Sequence, residues 1–112
     1  KLSGHDENLH DAVVSRFKEL DSVKIIKGSV PECLEEISPE RISFLHVDMN
    51  NVKAEIGALE KLFDRVSPGG SIVLDDYGWI IYQQQKLAHD TFFGERGYQV
   101  LELPTGQGLI IK

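Results

Sequence analysis

The fold is decided by ISFLHVDMNN at residues 42–51 and SPGGSIVLDDYGW at residues 67–79. In each segment a short apolar run, typical of a buried strand, ends in acid: Asp48 in the first, and the pair Asp75 and Asp76 in the second. The carboxyl ends of neighbouring strands in an open parallel α/β sheet face the same crevice. The sequence therefore predicts carboxylates gathered at one sheet edge, and oxygen ligands of this kind favour Mg²⁺.

The rest of the chain alternates between predicted helices and predicted strands. Apolar positions spaced three or four apart indicate helices, and short β-branched runs indicate strands. The turn Ser67-Pro68-Gly69-Gly70 is expected to end the third helix. The predicted helices are 7–20, 31–36, 52–66 and 82–93, and the predicted strands are 23–26, 42–47, 71–74, 98–103 and 108–111. This alternation favours an α/β fold with a mostly parallel, doubly wound sheet, in a single domain over residues 1–112.

The last two predicted strands have no helix between them. A connection of a few residues is too short for a parallel crossover, so strands 98–103 and 108–111 are predicted to form an antiparallel hairpin. A doubly wound, Rossmann-like sheet whose final strand reverses direction resembles the class I S-adenosylmethionine-dependent methyltransferases.

The motifs resemble one family within that class. LHVDMNN at 45–51 and LFDRVSPGGSIVLDDYG at 62–78 are similar to the macrocin-type sugar O-methyltransferases, and the helix at 8–17, the segment at 23–34 and the closing GLIIK follow in family order. Less closely, the acids also match the positions of the magnesium ligands in catechol-type O-methyltransferases. The resemblance implies a Mg²⁺-assisted, S-adenosylmethionine-dependent methylation of a hydroxyl on a sugar or other small molecule. It implies Asp48, Asp75 and Asp76 as metal ligands, with Asp48 also at the catalytic and cofactor site.

Part of the family pattern lies outside this sequence. The glycine-rich turn that cradles the methionine part of the cofactor, and the strand whose acid holds the ribose, would both precede residue 1. The expectation is a truncated, C-terminal part of a methyltransferase domain that lacks the first two family strands. In that arrangement segment 23–26 either moves beside 42–47, or a second copy fills the gap as a homodimer.

The substrate base is not evident. Macrocin-type enzymes carry a second carboxylate where this chain has Asn50, and catechol-type enzymes carry a lysine where it has Asn51. His46 shares a face with Asp48 only if the strand end stays extended, because side chains alternate along a strand.

Each acidic position also has a plain structural interpretation. Asp48 is suited to capping the following helix, since a carboxylate accepts bonds from free N–H groups there. Asp75 and Asp76 fit an ordinary turn, although adjacent like charges are unfavourable unless they are solvated or share a cation. The adjacent charges of Asp75 and Asp76 therefore favour a metal site over an ordinary turn.

Two further pairs of residues are candidates. Gly28 and Ser29 follow a predicted strand, where the resemblance implies contact with the adenine of the cofactor; the alternative is a turn that needs glycine. Tyr77 and Trp79 follow the acid pair, where they either line a substrate wall or pack against the core.

Composition excludes several classes of protein. A formal charge of −6 over 112 residues argues against nucleic-acid binding, and the single cysteine cannot form an intramolecular disulfide, which favours a cytoplasmic setting. No apolar run reaches the length of a membrane span, so no membrane partner is predicted. The order of the acids differs from that in response-regulator receivers. A nicotinamide dehydrogenase would need a glycine-rich strand-to-helix turn, and the sequence has none.

The alternative function is a non-catalytic methyltransferase remnant that serves as a folding or dimerisation module.

Overall fold

The computed structural model describes residues 2–36, 40–79 and 83–112. It contains three α-helices, two short 3₁₀ helices and four strands in these segments. In chain order the elements are α1 (Leu2–Phe17), a 3₁₀ helix (Glu32–Glu36), β1 (Ile42–Val47), α2 (Val52–Leu62), a 3₁₀ helix (Phe63–Arg65), β2 (Val66–Leu74), α3 (Gln83–Glu95), β3 (Leu101–Glu102) and β4 (Gly108–Ile111).

The four strands form one mixed sheet in the order β1-β2-β4-β3. Strands β1 and β2 are parallel, and α2 forms the crossover between them, as the sequence predicted. Strand β4 runs antiparallel to both β2 and β3, which confirms the closing hairpin. The expectation of a mostly parallel sheet is wrong for the described residues, because one strand pair is parallel and two are antiparallel.

The core lies where α2 and α3 pack against β2 and β4. Leu59, Ile72, Leu74 and Phe93 are completely shielded from solvent. Next to them Phe63 meets the rings of Phe92, Phe93 and Tyr98 edge-on, with centroids 5.6–5.9 Å apart. Edge-to-face pairs of this kind add stabilisation beyond the apolar area that they bury. The framework beneath the ends of β1 and β2 is therefore closely packed.

The predicted strand at 23–26 is wrong. These residues have no regular secondary structure, and no described strand pairs with the outer edge of β1. The expected move of this segment beside β1 is therefore not observed. A β-branched run becomes a strand only when another strand supplies the partners for its backbone, and here none does.

The prediction that Ser67-Pro68-Gly69-Gly70 ends the helix is also wrong. Helix α2 ends at Leu62, the following 3₁₀ turn leads into β2 at Val66, and the four residues lie inside that strand. The pairing of β1 with β2 shifts between Ile42 and Phe44, so the strand bulges where proline cannot donate to the ladder. Glycine is suited to this bulge, since Gly69 has φ +87°.

The remaining boundaries differ by a few residues. The first helix spans Leu2–Phe17 rather than 7–20, the segment 31–36 forms only a 3₁₀ helix, and the strand predicted at 98–103 shortens to Leu101–Glu102. Helix α3 spans Gln83–Glu95, and the first residue of its prediction, Tyr82, lies outside the described residues. Within the described segments no helix is both long and apolar enough to cross a membrane.

The loop between β3 and β4 packs against the turn that follows β2. Gly78 N donates to Gly106 O over 2.6 Å, and Gly106 has φ +89° with its α-carbon against the Trp79 ring. A β-carbon built on Gly106 would lie 2.9 Å from Trp79 Nε1. Glycine is therefore required here both by the backbone conformation and by the contact.

A matched pair of glycine substitutions separates these two requirements. Gly69 has nearly the same φ, but a β-carbon there meets nothing within 4 Å. We expect Gly69→Ala to cost about 1 kcal/mol from the backbone alone. Gly106→Ala should cost at least about 1 kcal/mol more, from overpacking, and should alter Trp79 fluorescence. Urea unfolding of the two variants checks this, and equal losses would contradict the Trp79 contact.

Candidate functional site

Strand register aligns three polar residues at one end of the sheet. In the parallel pair Val47 lies opposite Leu74, so Asp48 and Asp75 are the next residues on adjacent strands. The ladder continues to this point, because Asp75 N donates to Val47 O over 3.0 Å. In the antiparallel pair Leu74 lies opposite Gly108, which places Gln107 on the other side of Asp75. The ends of β1 and β2 and the start of β4 therefore form one site.

The side chains of His46, Asp48 and Asp75 converge at this site. Each offers one atom that could hold a metal ion, and these atoms all lie within 4.8 Å of one another. His46 and Asp48 are exposed and Asp75 is half-buried, so the cluster is open to solvent on one side. The alternation of side chains along an extended strand places His46 on the face of Asp48. The observed proximity of these two side chains matches the arrangement expected of an extended strand end.

Asp75 is held by two hydrogen bonds to the same oxygen. Its Oδ1 accepts from Gln107 Nε2 over 3.0 Å and lies 3.2 Å from His46 Nε2. The Gln107 amide, and then the His46 ring, lower the pKa of the Asp75 carboxyl below its usual range. Bonds to the charged form favour that form, so Asp75 stays ionised.

Asp76 lies outside the three-residue cluster. Partial burial raises the pKa of its carboxyl, and the negative charges of Asp75, Asp48 and Glu55 raise it further. The charges of the site thus affect the pKa of Asp76, but Asp76 does not bring a ligand atom into the cluster. Of the three predicted metal ligands, the structure brings Asp48 and Asp75 together, and the ligand role of Asp76 stays a prediction.

Tyr77 and Trp79 occupy different environments. Tyr77 is 3% exposed; its hydroxyl donates to Asp90 and accepts from Lys86 Nζ over 3.0 Å. Trp79 is 54% exposed, and its ring covers Gly106. Trp79 therefore offers an aromatic surface to solvent, whereas the Tyr77 ring is part of the core. Their contact with substrate stays a prediction.

Gly28 and Ser29 lie apart from the acidic cluster. They line a groove of about 510 Å³ together with residues of α1, including Leu9, His10 and Val13. A β-carbon on Gly28 would lie 2.5 Å from the β-carbon of Cys33, so glycine allows the chain to pass closely over the 3₁₀ helix. The close-turn interpretation of Gly28 therefore has a direct structural cause, and the adenine contact stays a prediction.

Asn50 and Asn51, which stand where related enzymes carry candidate bases, stabilise the local backbone conformation. Asn51 is the N-cap of α2, and its side chain accepts a bond from Ala54 N over 2.9 Å. Asn50 has φ +52°, a left-handed conformation that asparagine adopts more readily than most residues. These positions shape the turn after Asp48, which is therefore not itself the cap of the helix.

Sequence reasoning missed Gln107 and the buried Glu55. Gln107 is carried by the closing hairpin, and only the pairing of β4 with β2 brings it to Asp75. Its signal was the polar turn PTGQG between two strands that had already been predicted to pair. Glu55 looked like an ordinary charged residue in the first turn of a helix, yet it is 3% exposed.

Replacing Gln107 tests how Asp75 is held. Gln107→Leu removes the N–H donor at similar volume, so the pKa of Asp75 is expected to rise towards its usual value. Loss of a residue that supports a metal ligand typically weakens metal binding about tenfold or more. Carboxyl titration by NMR and Mn²⁺ titration measure the two effects. Gln83→Leu, at an exposed position on α3, is the control, and equal behaviour of the two variants would contradict this role.

The described residues thus form an α/β domain with a carboxylate site at the ends of two adjacent parallel strands. Residues 6–100 match the model of the family described as Macrocin-O-methyltransferase (TylF), and the chain belongs to this family. The resemblance stated from the motifs is confirmed. None of the curated proteins compared with the chain matches it.

Proposed function

We propose that the chain is the metal-side part of an S-adenosylmethionine-dependent O-methyltransferase that acts on a hydroxyl of a sugar or other small molecule. The observation that carries this proposal is the convergence of Asp48 and Asp75, with His46, at the ends of adjacent strands in a chain of the macrocin O-methyltransferase family. Family membership suggests the methyl donor, and the site suggests how the acceptor is held.

The donor set fits a divalent cation. Mg²⁺ binds proteins through one or two carboxylates and keeps several water molecules or substrate oxygens as its other ligands. Asp48 and Asp75 supply two carboxylates within reach of one another, on a surface open enough for water and substrate. The lowered pKa of Asp75 keeps that carboxyl charged. Mn²⁺ favours the same oxygen ligands as Mg²⁺ and is therefore a suitable probe of the site.

The residues around the site would have different roles in methyl transfer. Asp48 and Asp75 would hold the cation, Gln107 fixes one oxygen of Asp75, and Trp79 offers an exposed ring beside the same turn. When bound, the cation would orient the acceptor hydroxyl and lower its pKa. Correct orientation of the acceptor oxygen towards the methyl group is itself a large part of the rate gain in such a transfer.

The cofactor proposal extends to the arrangement of the domain. We propose that the mixed sheet is the C-terminal part of a Rossmann-like, doubly wound sheet, and that Gly28 and Ser29 contact the adenine of S-adenosylmethionine. The groove beside these two residues, and the order β1-β2-β4-β3 with a reversed last hairpin, support this proposal. The glycine-rich part of the cofactor site would belong to strands that this sequence does not contain.

Calorimetry on the 112-residue chain tests the function. Titration with Mn²⁺ or Mg²⁺ is expected to show saturable binding that is lost in Asp48→Asn. Titration with S-adenosylmethionine tests the alternative function. Tight, saturable binding would exclude the non-catalytic remnant, whereas no binding would exclude methyl transfer by this chain alone. Absence of cation binding would overturn the metal-side assignment.

We propose a second copy of the chain as the macromolecular partner, in a cytoplasmic setting. The outer edge of β1 has no partner strand among the described residues, and Phe44 on this strand is 60% exposed. An unpaired strand edge is a template for pairing with another chain. Sedimentation velocity is expected to show a dimer that Phe44→Lys weakens, and a monomer at all concentrations would overturn the proposal.

A further inference from the structure

A buried carboxylate lies directly behind the candidate site. Glu55, in the first turn of α2, is 3% exposed, and its Oε2 accepts bonds from the backbone amides of Met49 and Asn50 over 3.0 and 3.2 Å. These amides belong to the turn that follows Asp48. The left-handed conformation of Asn50 is held in place by this carboxylate, which satisfies two N–H groups of the turn.

The other oxygen of Glu55 reaches a different element. Its Oε1 lies 3.0 Å from Nε2 of His89 on α3, and His89 is 2% exposed. The His89 ring stacks on Tyr77, with 6.3 Å between centroids. Tyr77 is two residues beyond Asp75. One carboxylate thus connects the turn that carries Asp48 with the turn that carries Asp75.

Burying Glu55 and His89 together costs free energy that a purely structural role would not require. Burial raises the pKa of Glu55, and the His89 imidazole and the Met49 amide outweigh that effect, so the pKa lies below its usual value and the carboxylate stays charged. Both ring nitrogens of His89 are buried, and neither makes a well-aligned hydrogen bond within the described residues, although Nε2 lies 3.0 Å from Glu55 Oε1. Apolar residues of similar volume often stabilise a core as well as buried charged and polar groups do.

We propose that Glu55 is a positioning residue of the site: it holds the turn at residues 48–51 against α3 and thereby sets the separation of the Asp48 and Asp75 carboxylates. The inference rests on the proposed cation site and names the group that keeps its two ligands at a fixed spacing. Glu55 does not touch the reacting atoms, and it acts through the backbone of Met49 and Asn50.

The test compares Glu55→Gln with Glu60→Gln, an exposed glutamate on the same helix. In the metal-free chain, Glu55→Gln is expected to speed hydrogen exchange at the Met49 and Asn50 amides about tenfold or more, because the turn opens more often. In the same variant the Kd for Mn²⁺ is expected to rise about tenfold, as for other outer-shell partners of metal sites. Glu60→Gln should change neither quantity.

A second variant keeps the test decisive if Glu55→Gln does not fold. Glu55→Asp retains the charge and the preference for a first helical turn, but its shorter side chain cannot reach both Met49 N and His89. It is expected to show the same faster exchange and the same weaker Mn²⁺ binding. Unchanged exchange and unchanged Mn²⁺ affinity in a folded variant would overturn the inference.

The two proposals fail in different ways. If the wild-type chain does not bind Mn²⁺, the cation site is wrong, and amide exchange alone then decides whether Glu55 holds the turn. If the wild-type chain binds Mn²⁺ and the folded Glu55 variants bind it equally well, the cation site stands and the positioning role is wrong.

Discussion

Replacing Asp75 with asparagine is expected to weaken Mn²⁺ binding about 100-fold, at the upper end of the losses seen for outer-shell partners of metal sites, because Asp75 is a proposed ligand. The substitution preserves shape but removes the charge, and the new amide brings N–H donors next to Gln107 and His46, which already donate to this position. Asp48→Asn should have a similar effect, since Asp48 supplies the other carboxylate of the cluster. Mn²⁺ titration followed by electron paramagnetic resonance measures both variants.

Asp76→Asn provides the comparison that the structure makes informative. Asp76 brings no ligand atom into the cluster, so its loss should weaken binding less than tenfold, mainly through the lost negative charge. Asp64→Asn, an exposed aspartate after α2, is the control for net charge. If Asp76→Asn were as damaging as Asp75→Asn, Asp76 would be a ligand and the observed cluster would not be the binding arrangement.

Truncation of Phe93 should produce the largest loss of stability. Its side chain is completely buried, with ring centroids 5.8 Å from Phe63 and 5.0 Å from Phe92. Phe93→Ala is expected to lower the free energy of unfolding by about 3–5 kcal/mol, since the lost transfer energy is joined by the cost of a cavity. That is a large share of the roughly 5–15 kcal/mol of a typical domain.

Leu87→Ala is the matched control for Phe93→Ala. Leu87 is 69% exposed on the same helix, so its truncation should change the free energy of unfolding by less than about 0.5 kcal/mol. Urea unfolding followed by circular dichroism measures both variants. A loss below about 1 kcal/mol for Phe93→Ala would mean that α3 does not pack on the sheet as described.

Local patterns predicted much of the framework. The strand at Ile42–Val47, its parallel pairing with β2 and the antiparallel hairpin follow from apolar runs and from the length of the connections. The motifs that end these strands also gave the family, which the match over residues 6–100 confirms. These features depend on residues that are close together in the sequence, so they can be predicted without a structure.

Other features were mispredicted because their causes are non-local. The segment 23–26 has the composition of a strand but finds no partner among the described strands. The turn Ser67-Pro68-Gly69-Gly70 reads as a helix stop, yet pairing of Val66 with Ile42 extends β2 through it. In both cases the availability of a neighbouring strand, rather than local propensity, decides the structure.

By itself, the sequence determined that two strands end in aspartate and that the motifs around them resemble those of macrocin-type O-methyltransferases. Only the tertiary structure decided which side chains meet there: Asp48, Asp75 and His46 form the cluster, Asp76 lies outside it, and Gln107 and Glu55 support it from other elements. The physical reason is that residue type fixes what a group can bind, whereas strand register and helix packing fix which groups come within a few ångströms of one another.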